Sequence, residues 1–64
     1  MMYERLIKLA TDTQAMADEV RGLIADCHDY EILRLLKKLD AEMMDMRHNL
    51  QLALQLERRD ELNV

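Results

Sequence analysis

Sixty-four residues make one small domain at most, and so short a chain rarely buries enough core to stand without a disulfide, a metal or self-association. Half of the residues are apolar, yet Phe, Trp and Pro are absent and Gly occurs once, the composition of a helical bundle or coiled coil. Nine basic against thirteen acidic residues leave a net charge of −4, opposite to the balance of a binder that neutralises phosphates, and the single Cys27 excludes an intrachain disulfide.

The first predicted element is a helix over about 2–27. Its seam positions, Met2, Leu6, Leu9, Thr13, Met16, Val20, Leu23 and Cys27, alternate steps of four and three, the heptad rhythm. With Leu6 as an a position, Leu9, Met16 and Leu23 are d positions, and Tyr3, Ala10, Ala17 and Ile24 form the adjoining e row. Glu4 with Lys8, and Asp18 with Arg21, are spaced for surface pairing. Two features argue for a break: Thr11 to Gln14 spell a T-x-x-Q capping box, and Gly22 costs roughly 1 kcal/mol against Ala inside a helix. The seam continues through both, which predicts one unbroken helix and assigns Gly22 to a close approach between helices.

Asp26-Cys27-His28-Asp29-Tyr30 interrupts the aliphatic stripe with short polar residues and is the predicted turn, over about 27–30. Asp29 suits the N-cap of the next helix, and Glu31 places a negative charge in its first turn, where the helix dipole favours it. The second helix is predicted over about 30–60, with Ile32, Leu36, Leu39, Met43, Met46, Leu50 and Ala53 as its seam. The last residues, through Asn63 and Val64, are expected to fray. A connection this short makes the helices antiparallel neighbours, with facing positions adding to about 58. Gly22 then lies near Leu36, Met16 near Met43 and Leu9 near Leu50.

Two helices packed only on each other need a narrow a/d stripe. This chain carries more. Tyr3, Ala10, Ala17 and Ile24 on the first helix, and Leu33, Leu35 and Leu54 on the second, form a further apolar row. A second copy would bury it, so the expected architecture is all-α: an antiparallel two-helix hairpin dimerising into a four-helix bundle. Leu52 and Leu56 fall outside that scheme, on an outward face with Ala41; they either pack on the dimer mate's termini, the favoured reading, or are the candidate surface for a separate protein partner.

Chemistry is not written into the chain. Cys27, His28 and His48 stand in no C-x-x-C, H-x-x-x-H or E-x-x-H arrangement, so no metal, cofactor or catalytic residues are assigned. Met43, Met44 and Met46 do not converge, and methionine at a and d positions is commonly core filling rather than a copper(I) site. Arg34, Lys37 and Lys38 form the nearest thing to a basic patch, but acidic neighbours surround them and no aromatic is placed to stack on a base. Neither a signal-peptide block nor a stretch of transmembrane length is present, so a soluble cytoplasmic protein is expected.

Two antiparallel helices of about thirty residues with an Asp at the turn resemble the Rop family. Those plasmid proteins are hairpin dimers that bind paired RNA loops. The likeness covers the whole chain in length and heptad plan, without a shared motif, so no functional residue carries over. In size, Met-rich helical style and lack of a catalytic motif, the chain also resembles the small accessory proteins of the lambdoid phage early (exo–xis) region. That resemblance implies a role in lytic development through binding a host or phage protein. The reading is a non-enzymatic, homodimeric interaction module, with a nucleic-acid regulator as the alternative.

Overall fold

The computed structural model describes residues 1–62, with side chains through residue 59. Two helices make the fold: α1, Met2–Asp26, and α2, Tyr30–Leu62. Asn63 and Val64 lie outside the described residues. α2 therefore runs past the expected end at Asp60, whereas α1 stops one residue early, at an extended Cys27 with φ −83° and ψ 129°.

α1 is continuous through both features that argued against it. The capping box at Thr11 is overridden because Thr13, just over half a turn on, faces the second helix and is buried. Its hydroxyl donates to the Leu9 carbonyl one turn back at 2.7 Å, which satisfies it without opening the helix. Gly22 is also helical but is no point of close approach. A methyl group at this position would meet nothing within 4 Å. Gly22 points away from α2, so the expected contact with Leu36 is replaced by open space. Gly22→Ala is thus expected to stabilise the fold by about 1 kcal/mol, read as a rise in the midpoint of thermal unfolding.

The turn comprises Cys27, His28 and Asp29. Asp29 is the N-cap of α2: its Oδ1 accepts the Ile32 backbone N–H at 3.0 Å, and its carbonyl accepts that of Leu33 at 2.9 Å. Such a cap is worth about 1 kcal/mol. The Cys27 thiol donates to the Asp29 carbonyl at 3.4 Å, and the Cys27 N–H closes the end of α1 on the Ile24 carbonyl at 3.3 Å. Surface pairing differs in detail from expectation. Lys8 bonds Asp12 at 2.9 Å rather than Glu4, and this partner holds its ammonium above the usual lysine range, through the hydrogen bond first and charge second.

The seam between the helices has a thin core. Ala17, Val20 and Met43 are its buried apolar side chains, Ile24 packs against them, and Thr13 is the buried polar one. Thr13 lies opposite Met46, with Oγ1 and Sδ 3.9 Å apart, and Arg21 opposite Asp40, close to the expected register. The pattern of burial shows which rows meet. On α1 they are the a row, with Leu6, Thr13 and Val20, and the e row of Tyr3, Ala10, Ala17 and Ile24. On α2 they are Leu36, Met43 and Leu50, which take the a label, with Leu33, Asp40, Arg47 and Leu54 at e. The helices meet on a and e, rather than on a and d.

Candidate functional site: an open apolar face

The d rows are what the seam leaves out. Leu9, Met16 and Leu23 of α1 are each about half exposed, as are Ile32, Leu39 and Met46 of α2. Their geometry puts them on one side. At 100° per residue, a d position lies about 80° from the middle of an a/e seam, in the same rotational sense on every helix. Because α1 and α2 run antiparallel, equal rotations bring both d rows out on the same side of the hairpin. The result is one flat apolar strip running the length of the molecule, with Met2 at its open end.

The opposite side is mainly polar, with Ile7 and Met44 as exposed apolar exceptions. There the half-buried Gln14 and Arg47 lie along the edge, and Arg21 Nε approaches Asp40 Oδ1 to 3.6 Å. That separation is too long for a hydrogen bond, and the buried Asp40 Oδ1 finds no other hydrogen-bond partner among the described residues. A partly exposed pair of this kind contributes at most about 1 kcal/mol. The hairpin is therefore amphipathic as a whole: mainly polar behind, apolar in front.

Magnitudes show how far the front face departs from an ordinary surface. The chain exposes 5443 Å², against about 4300 Å² for a compact monomer of its mass. Its extents are 53 × 15 × 13 Å and its radius of gyration is 15.2 Å, where a compact domain of this length has about 11 Å. The d-row side chains leave on the order of 700 Å² open, near the roughly 800 Å² that each partner contributes to a standard interface.

The candidate interface residues divide between the seam and the surface. Ala17 is buried within the chain's own seam, and Tyr3, Ala10, Ile24, Leu33 and Leu54 are half-buried along it. These six line the chain's own seam, where five of them keep part of their surface open. Small Ala10 and Ala17 let the helices close on that side. Leu35 remains exposed, and with Leu56 it occupies the g row of α2, which borders the apolar strip. Leu52, also exposed, sits at the c position, facing away from the seam as Gly22 does on α1. Leu52 and Leu56 are one turn apart on the same exposed flank of α2, a small apolar patch between the outer surface and the front.

Chemistry-bearing groups are scattered. Among the described residues, no group of three or more His, Cys, Asp or Glu could hold a metal ion. Tyr30, Leu33, Arg34 and Lys37 line an open depression of about 120 Å³, well below the roughly 300 Å³ at which ligand pockets begin. That depression corrects one expectation. Tyr30 is 78% exposed, so an aromatic ring does stand beside two of the basic residues. Neither described helix is both long and apolar enough to cross a membrane.

Fold and face together define a class: an all-α helical hairpin with an unpartnered apolar front. No family model, curated protein or solved structure matches the chain.

Proposed function

We propose that this chain is a non-enzymatic protein-interaction module that works through its apolar front, and that a second copy is the occupant of that face. Two hairpins stacked front to front bring the a and d rows of four helices together, which completes a four-helix bundle. The open strip of Leu9, Met16 and Leu23 beside Ile32, Leu39 and Met46 carries this reading. A chain with so thin an internal core needs that area buried, and no disulfide supplies the stability instead. The resemblance to phage accessory proteins gives such a bundle a role in lytic development through a host or phage protein. Its outer side would be the surface offered, with Leu52 an exposed contact.

Analytical ultracentrifugation tests the proposal. A species of twice the 7.6 kDa chain mass is expected, with a melting midpoint that rises with protein concentration. A stably folded monomer would sink it.

A second reading, binding to RNA or DNA through a helical face, draws support from Tyr30 beside Arg34 and Lys37. The net charge of −4 weighs against it. A gel-shift series separates the two. Tight binding that weakens steeply with salt favours the nucleic-acid reading, and no shift at low salt disposes of it.

A further inference from the structure

We infer that the second copy lies antiparallel to the first, with the two turns at opposite ends of the bundle. The inference rests on the dimer reading above and deepens it, because only two stackings of a flat hairpin obey two-fold symmetry. With the dyad along the bundle, the turns share an end and α1 lies beside the partner's α2. With the dyad across the bundle, the turns separate, α1 lies beside the partner's α1, and α2 beside the partner's α2.

The g rows decide between them, because they flank the d rows at this junction. On α1 the g row reads Arg5, Asp12, Glu19, Asp26; on α2 it includes Leu35, Glu42, Asn49 and Leu56. The level that sets Arg21 opposite Asp40 also sets residues 15–16 of α1 beside 45–46 of α2, near the middle of both helices. A dyad crossing there gives the greatest overlap of the two hairpins.

It also matches the flanks by chemistry. Arg5 meets the partner's Asp26, Leu35 meets the partner's Leu56, and Glu42 meets the partner's Asn49. Each of these contacts occurs twice. The one like-charged match is Asp12 with the partner's Glu19, and Asp12 is already neutralised by Lys8 at 2.9 Å. In the d rows, Leu39 meets the smaller Ala53 of the partner, while Met16 and Met46 each face their own symmetry mates. The alternative stacking does worse on the same residues. It sets Arg5 against Leu56, Asp26 against Leu35 and Glu19 against Glu42, which desolvates charges on leucines and confronts two carboxylates.

Cys27 is the one cysteine and sits in the turn, so it reports the arrangement directly. In the antiparallel bundle, two spin labels on Cys27 lie about 35 Å apart, from the rise of 1.5 Å per residue measured out from the dyad. Pulsed electron–electron resonance on the labelled full chain is expected to return that distance. A label at His28→Cys in a Cys27→Ser chain should return about 35–40 Å and guards against disturbance by the half-buried Cys27 site. Distances below about 25 Å from a sedimenting dimer overturn the antiparallel arrangement and leave the dimer standing. A folded monomer in the centrifuge overturns both.

Discussion

Lysine in place of Met16 is expected to abolish assembly and, with it, most of the helical circular dichroism. In a single hairpin the Met16 side chain is 59% exposed, so a lone chain would tolerate the change within about 0.5 kcal/mol. In the bundle Met16 lies at the dyad, and Met16→Lys buries two ammonium groups against each other. The effective penalty is several kcal/mol per ion, a large share of the stability available to so small a fold. Met16→Leu conserves volume and should cost less than about 1.5 kcal/mol, so it separates loss of the apolar surface from mere repacking. Sedimentation and ellipticity read both variants. Unchanged helicity and an unchanged melting midpoint in the lysine variant would remove the bundle from consideration.

The second large effect falls on the intrachain seam. Met43 is 2% exposed and is the largest side chain in the buried cluster, where it packs with Ala17 and Val20. Truncation by Met43→Ala deletes the thioether arm and leaves a cavity, at a cost of about 2–5 kcal/mol. The neighbouring Met44 supplies an internal control. It is 55% exposed, so Met44→Ala, which also improves helix propensity, should be close to neutral. Urea unfolding of the two variants is expected to separate their midpoints clearly. Equal midpoints would mean that Met43 does not anchor the seam.

Both helices, the turn and the Asp29 cap were legible in the sequence, because heptad spacing and capping are local signals. The choice of facing rows was not. A helix with apolar a, d and e rows presents a stripe broad enough that either a/d or a/e can turn toward its neighbour, and spacing is identical in the two cases. Side-chain size makes the choice. Ala10 and Ala17 permit close approach on the e side, whereas Leu9, Met16 and Leu23 fill the d side with bulk that suits a wider junction. Asp40 and Arg47 disguised the matching e row of α2, since charged residues do not read as seam positions although both are half-buried. Gly22 misled for a related reason: a missing Cβ signals close packing and an empty outer surface alike. Leu52 and Leu56, four residues apart, read as a pair from spacing alone, and both are exposed on α2.

The thin seam also bears on how long a molecule survives once made. Among the described residues, only Ala17, Val20, Met43 and Thr13 are buried in a single chain. Hydrogen bonds along both helices then open at little free-energy cost, and proteases cut such open forms in proportion to their population. If two copies pair as proposed, pairing would remove substrate from that pool by mass action. Degradation should therefore be fast when synthesis is slow and lag once copies are numerous enough to find each other. Abundance would then respond to expression as a threshold rather than in proportion to it.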